Sequence, residues 1–157
     1  MFFDLQSNFE ACAREKRYTV LEEIAKNNRY DFILTAHHQD DQLETLYMKK
    51  IDGGDWISKI GIREKMGKLR RPFLYISKDA IKLYVKQNNI PWIEDPTNSD
   101  MSIRRNKIRQ HELPQAFNVN PGLKESLLRV ANENVVKIKM TALKLKWDEG
   151  NAIKNHS

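Results

Sequence analysis

Five ionisable side chains crowd into one short stretch, Phe32-Ile33-Leu34-Thr35-Ala36-His37-His38-Gln39-Asp40-Asp41-Gln42-Leu43-Glu44-Thr45. They are His37, His38, Asp40, Asp41 and Glu44. Histidines and carboxylates at this density can hold a metal or relay protons. Asp41 and Glu44 are three residues apart, so on a helix their carboxylates share a face. One chemistry is a hydrolytic centre using Zn, Mn or Fe. It would need further ligands, and His111 and His156 stand alone in the chain. The other is a hard Mg²⁺ held by Asp41 and Glu44 together with phosphate oxygens, the more natural choice beside many cations. A capped helix with a polar first turn would use fewer such residues than stand here.

The elements around the cluster should place it at a strand end. Phe32 to Ala36 is a short apolar run without polar alternation, which predicts a strand buried on both faces. Asp40 is expected as N-cap of a helix that carries Leu43, Leu46, Tyr47 and Ile51 at helical spacing. Strand, turn and helix N-terminus together make a ligand-binding end of an open α/β sheet.

The 157 residues allow one ordinary domain, or one with an appendage. Net charge is +6, which points to an anionic partner such as nucleic acid or to a merely basic surface. Cys12 is the lone cysteine, so no disulfide framework or Cys-x-x-Cys metal site exists, and a reducing compartment fits. No run approaches a membrane span, and Met1 to Leu5 is too short for a signal peptide.

Ser7-Asn8-Phe9-Glu10 reads as a capping box for a helix from about Asn8 to Lys26, with Phe9, Ala13, Val20, Leu21 and Ile24 inward. Glu10, Arg14 and Arg17 form a polar stripe on it. Asn27-Asn28 should end it. After the break at Asp52-Gly53-Gly54-Asp55, Ile60-Gly61-Ile62 and Leu69 to Leu74 suggest a hairpin around Lys65-Met66-Gly67-Lys68. Arg70 and Arg71 suit phosphates, or equally a charged strand edge. Ser77 should cap a helix over Lys78 to Asn88 with Ala80, Ile81, Tyr84 and Val85 buried. Asp95-Pro96-Thr97-Asn98 makes a rigid polar turn, in which Pro96 fixes its own φ and biases Asp95 toward extended backbone. A helix from Asp100 or Ser102 to Pro114 carries Arg104, Arg105, Lys107 and Arg109. Arg105 and Arg109 are like charges at i, i+4, an unfavourable pair that a phosphate would relieve. Asn120-Pro121 should start a basic amphipathic helix from about Gly122 to Trp147.

Several of these stretches resemble one family, in order along residues 7 to 115. Thr35-Ala36-His37-His38-x-Asp40-Asp41-Gln42-x-Glu44-Thr45 is similar to the signature of the tRNA(Ile)-lysidine synthetases, N-type ATP pyrophosphatases of the PP-loop superfamily. Cys12-Ala13-Arg14 with Arg17-Tyr18 resembles the family's Glu-x-x-Ala-Arg-x-x-Arg-Tyr helix. Arg71-Pro72-Phe73-Leu74, Trp92-Ile93-Glu94-Asp95-Pro96-Thr97-Asn98, and Arg105-Asn106-Lys107-Ile108-Arg109 with Leu113-Pro114 resemble three further motifs.

The resemblance implies an α/β fold: a partial Rossmann-like, adenine nucleotide alpha hydrolase-like parallel sheet unit followed by a mainly helical region. It divides the chain into residues 1–58, the rear of the nucleotide domain; 59–115, a hairpin and helices bearing the Asp-Pro-Thr-Asn and Arg-Asn-x-Ile-Arg motifs; and 116–157, a basic helix. It implies a cytoplasmic ligase that uses ATP and Mg²⁺ to join free lysine to C2 of the wobble cytidine in tRNA(Ile) with a CAU anticodon, through an adenylated intermediate. Asp41, Glu44 and His37 would be catalytic, with Asp41 and Glu44 on Mg²⁺. Arg14, Arg17, Arg71, Asp95, Asn98, Arg105, Asn106 and Arg109 would bind substrate or tRNA.

The family's nucleotide loop, Ser-Gly-Gly-x-Asp-Ser, is missing from the 157 residues. Gly53-Gly54 lies on the wrong side of the histidine motif and lacks the serines. Ligase activity would then need a separate chain carrying that loop. A non-catalytic tRNA-binding remnant and an unrelated metal-dependent hydrolase are the alternatives.

Overall fold

The computed structural model describes the backbone of residues 5–55 and 58–154, and the side chains of 12–55 and 59–144. The chain forms two compact units, residues 1–37 with 63–74, and residues 38–62 with 75–157.

The first unit holds helix α1 (Leu5–Asn27) and strands β1 (Ile33–Leu34), β2 (Lys65–Met66) and β3 (Leu69–Arg70). Backbone at Ser7 is already helical, so the helix starts before the expected cap; the side chains of the Ser7–Glu10 box lie outside the described residues. Its end is as expected: Asn28 Nδ2 donates to the Ile24 carbonyl at 2.9 Å, and Arg29 turns the chain at φ +57°. β1 runs parallel to β3, and β2 pairs antiparallel with β3, giving the order β1-β3-β2. The hairpin turn is Gly67-Lys68, with Gly67 at φ +56° in the first central position, where only glycine is unstrained. Ile60 belongs instead to a 3-10 turn (Ser58–Ile60), so the expected first hairpin strand is not there.

Ala25, Ile33 and Leu69 form this unit's buried centre, flanked by Tyr18 and Leu21. Val20 and Ile24, expected inward, face solvent. The expectation of a strand buried on both faces also fails: Ile33 is 8% exposed, but Leu34 is 70% exposed. Successive strand residues point to opposite faces. Within this unit one face of β1 packs on α1, while on the other Leu34 is exposed and Arg70 lies 4.7 Å over the Phe32 ring.

The second unit holds α2 (Gln39–Ile51), α3 (Lys78–Gln87), α4 (Arg104–Lys107), α5 (Leu113–Val119) and α6 (Leu123–Lys154). Leu43 and Leu46 of α2 pack with Leu123, Leu127 and Ala131 of α6, joined by Tyr47, Ala116, Phe117 and Leu128. Ile51 is exposed, because it lies past the end of that contact. Ser77 caps α3 as expected, accepting the Ala80 N–H at 3.2 Å. The expected buried stripe on α3 is not formed: none of its residues is buried, and Tyr84 is exposed.

Pro114 does not stop the basic helix. A π turn (Ile108–Glu112) joins α4 to α5, and Pro114 sits in the first turn of α5. Proline has no N–H to give and crowds the preceding turn. The wider spiral makes room, the Leu113 N–H reaching back five residues to the Ile108 carbonyl. Asn120 caps the end of α5 rather than starting α6, which runs to Lys154, beyond the expected Trp147. The α/β class and the parallel sheet unit followed by helices agree with the sequence reading.

Candidate active site

The second unit draws the acidic end of α2 against the basic helix. His38, not Asp40, is the N-cap of α2, with extended backbone at φ −123°, ψ −179°. Its Nδ1 accepts the Asp41 N–H at 3.4 Å, while Asp41 Oδ2 accepts the His38 N–H at 3.0 Å. This is a reciprocal capping box with His and Asp in the usual Ser and Glu places. Asp40 caps a different helix: its Oδ2 accepts the N–H of Lys78, the first residue of α3, at 2.7 Å. A carboxylate there also meets the positive end of the helix dipole.

One turn on, Glu44 is 1% exposed. Its Oε1 accepts Arg109 Nε at 2.5 Å, and its Oε2 accepts Arg105 Nε at 2.7 Å and Arg109 Nη2 at 3.1 Å. Asp41 Oδ1 lies 3.5 Å from Arg105 Nη2 and 3.4 Å from Arg109 Nη2. The i, i+4 arginine repulsion is thus relieved by two carboxylates rather than by phosphate. The hydrogen bond that Arg109 donates to Glu44 raises the Arg109 pKa above its ordinary value against the opposing pull of burial. Arg104 is ion-paired with Asp52.

The same helix grips the Asp-Pro-Thr-Asn turn. Asn106, buried, donates from Nδ2 to the carbonyls of Thr97 at 2.8 Å and Asp100 at 2.9 Å. Arg109 Nη1 reaches Asn98 Oδ1 at 3.4 Å, and Gln110 Nε2 reaches the Asn98 carbonyl at 2.6 Å. Asp95 caps its own 3-10 turn (Pro96–Ser99), accepting from Thr97 Oγ1 at 2.7 Å and Thr97 N–H at 2.9 Å. Those bonds hold its carboxyl below the ordinary range.

Asp41, Glu44, Asn98, Arg105, Asn106 and Arg109 are therefore one connected site. Beside it lies a cavity of about 150 Å³, lined by Asp40, Leu43, Glu44, Arg109, Leu113, Pro114 and Phe117. Apart from Asp95, which stays on its own turn in the second unit, the remaining candidates belong to the first unit. His37 Nδ1 is 3.0 Å from Thr35 Oγ1. Arg14 stacks 5.5 Å over the Tyr18 ring, and Arg17 is exposed. Arg71 is 3% exposed, its Nη1 donating to the Arg63 carbonyl at 2.6 Å and its Nη2 lying 3.5 Å from the Tyr18 hydroxyl. It fills the packing of that unit instead of presenting a surface charge to phosphate or along a strand edge.

The Mg²⁺ expectation does not fit these carboxylates. Mg²⁺ wants a near-octahedral set of free oxygens. Both Glu44 oxygens accept guanidinium N–H groups inside the protein, and Asp41 Oδ2 accepts a backbone N–H. Two carboxylates against two guanidinia also leave little net charge to attract a cation. Among the described residues no group of three His, Cys, Asp or Glu is placed to hold a metal.

Sequence reasoning overlooked Gln42. Its buried side chain donates to the Ile60 carbonyl at 3.0 Å and accepts the Ile62 N–H at 2.5 Å. Gly61, at φ +71°, lies under it; a Cβ there would fall 2.5 Å from Gln42 Oε1. The glycine between two isoleucines, Ile60-Gly61-Ile62, was the available signal.

Comparison with known proteins settles the family. The model of the PP-loop domain matches residues 3–116. The chain belongs to the PP-loop domain family. Within it, the chain is 43% identical over 111 residues to the tRNA(Ile)-lysidine synthase of Bacillus licheniformis, covering 68% of this chain and 23% of that protein. It is 39% identical over 122 residues to that of Lactiplantibacillus plantarum, covering 75% and 27%. With that of Treponema denticola it is 37% identical over 133 residues, covering 82% and 29%. The resemblance carried by the motifs therefore holds. The PP-loop chain spans about a quarter of the length of the curated relatives it matches. No helix among its described residues is long and apolar enough to cross a membrane.

Proposed function

We propose that this chain supplies the lysine-handling part of a cytoplasmic tRNA(Ile)-lysidine synthetase, an ATP-dependent ligase that joins lysine to C2 of the wobble cytidine of a CAU-anticodon tRNA(Ile). The observation that carries the reading is the cavity beside the ion-pair cluster. Its wall is apolar at Leu43, Leu113, Pro114 and Phe117, and its polar groups are Asp40 and the paired Glu44 and Arg109. Glu44 is committed to Arg105 and Arg109, so Asp40 is the carboxylate assigned to the ammonium end of a chain of methylenes lying along that apolar wall. A cavity of this volume holds a ligand about the size of benzene, which is close to the lysine side chain.

In the proposed reaction, the cytidine O2 attacks the α-phosphate of ATP and pyrophosphate leaves. The lysine amino group then attacks C2, and AMP departs with O2. The amine must be neutral to attack, and Asp41, whose side chain retains some exposure, is the group assigned to receive its proton. Glu44 holds Arg105 and Arg109 toward the anionic phosphate. Asn106 fixes the Asp95–Asn98 turn as one wall of the substrate site. No step is assigned to a metal on Asp41 or Glu44.

ATP phosphates need a cradle of backbone N–H groups, usually a glycine-rich turn entering a helix. The Ser-Gly-Gly-x-Asp-Ser loop is absent from the 157 residues, so the loop is assigned to another segment. The same absence favours one second reading, a tRNA-binding module without catalysis. Pyrophosphate release from ATP in the presence of lysine and tRNA, with and without a loop-bearing segment, separates the two. Release only with that segment supports the ligase; release in neither case supports the binding module.

A further inference from the structure

We propose that the cleft between α2, α5 and the start of α6 binds a free α-amino acid with a large apolar side chain. The cleft has a volume of about 540 Å³, within the usual range for small-molecule sites. Helix α5 separates it from the candidate lysine cavity. Leu113 and Phe117 line that cavity, whereas Gln115, Ala116 and Val119 line this cleft. Residues three or four apart share a helix face, so the two sets lie on opposite faces of α5. The proposed reaction makes no use of the cleft.

Its lining decides the ligand. Tyr47, Ala116, Val119 and Leu123 give it an apolar floor. Leu123 belongs to the core shared by α2 and α6, and Tyr47 and Ala116 pack against that core, so most of the floor is held in place. Val119 is exposed and gains burial under a ligand. Lys50 of α2 and Glu112 at the end of the π turn bring opposite charges to the same cleft. Turns of that kind are rare and recur at functional sites. Among the described residues neither charge is ion-paired, with the other or elsewhere. Two opposite charges that share a cleft without pairing match a ligand that carries both. Its carboxylate meets Lys50 and its ammonium meets Glu112, each in a charge-assisted hydrogen bond. The side chain then lies on the apolar floor against the Tyr47 ring, and a molecule as small as glycine would leave that floor bare. A nucleotide is a poorer occupant, because its phosphate would meet Glu112 as well as Lys50.

Titration of the isotope-labelled full chain with L-phenylalanine tests this, since that side chain lacks the terminal ammonium assigned to the lysine cavity. The amide signals of Ala116, Val119 and Leu123 should shift and saturate by about 20 mM, as for a Kd of about 1 mM. N-acetyl-L-phenylalanine has no ammonium, and L-phenylalanine amide has no carboxylate. Each should bind at least about tenfold more weakly, the scale of one hydrogen bond to a charged group. Lys50→Gln should weaken L-phenylalanine without further weakening the amide, and Glu112→Gln should do so without further weakening the N-acetyl compound. Neither side chain is buried, so both variants should unfold at the parent's temperature. Absence of a saturable shift overturns the proposal, as do analogues that bind as tightly as the amino acid, or AMP that shifts the same signals at lower concentration. Ligase activity enters none of these readouts, so the site stands or falls apart from the proposed reaction.

Discussion

Glu44 and Arg109 form a two-point ion pair: Nε to Oε1 at 2.5 Å and Nη2 to Oε2 at 3.1 Å, with the carboxylate all but closed to water. Charges desolvated in this way are costly to leave alone. Breaking a buried pair by removing one partner costs about 3 to 5 kcal/mol, and the low end applies because Arg109 keeps part of its surface in water. Glu44→Gln should therefore lower the urea midpoint strongly with little change in slope. A midpoint within error of the parent would mean that the pair is not formed in solution. Arg109 has a raised pKa, so the arginine's own charge is kept below that raised value and is lost only as pH rises through it.

Gln42 and Gly61 make a second, uncharged lock. Gln42→Ala leaves a buried N–H and a buried carbonyl unpaired, at about 1 to 3 kcal/mol. Gly61→Ala adds a Cβ that strikes the Gln42 amide and forces a side chain to φ +71°. The steric part of that second cost disappears once Gln42 is alanine. The double variant should be more stable than the sum of the single losses predicts, and thermal unfolding of the four proteins measures the difference. Simple additivity would contradict the contact.

The Asp-Pro-Thr-Asn turn should loosen in acid. The hydrogen bonds of Thr97 lower the Asp95 pKa, and those of Ser102 lower that of Asp100. A carboxyl with a depressed folded pKa stabilises the fold above its unfolded value, about 3.9, and that contribution fades as pH falls through the lower folded value. Trp92, exposed a few residues upstream, should report a transition below about pH 4. Thr97→Ala removes one of the two bonds to Asp95 and should move the transition to higher pH. No movement would remove Asp95 as its source.

Lys107 is exposed, whereas Arg104 on the same short helix is held by Asp52. If tRNA docks on this helix, Lys107→Ala should flatten the slope of log K against log salt by about 0.7 to 0.9. An unchanged slope would place the RNA elsewhere.

Local rules in the sequence were enough to locate Ser77 as a cap, Asn27-Asn28 as a stop and the Gly67 turn, because each depends on a few adjacent residues. The shared face of Asp41 and Glu44 was equally legible from their spacing. What escaped was set by partners distant in sequence. The pairing of Arg105 and Arg109 with Glu44 was not legible, because that carboxylate lies more than sixty residues away. His38 displaced Asp40 as N-cap because Asp40 is taken by the start of α3. Pro114 read as a stop, since the π turn that accommodates it leaves no periodic trace in a basic segment. Arg71 read as a surface charge, although packing in its own unit buries it.

The central claim is that Asp41, Glu44, Arg105 and Arg109 serve lysine transfer to tRNA. Labelled-lysine incorporation into CAU-anticodon tRNA(Ile), with ATP and a loop-bearing segment present, tests it most directly. Asp41→Asn is the decisive variant, since Glu44 makes the shorter bonds to the arginines and an asparagine amide oxygen can still accept the His38 N–H. The expected result is incorporation by the parent and a loss of at least about a hundredfold in Asp41→Asn, the scale of a lost general base, with unchanged far-UV circular dichroism. Incorporation by Asp41→Asn at the parent rate would contradict the account.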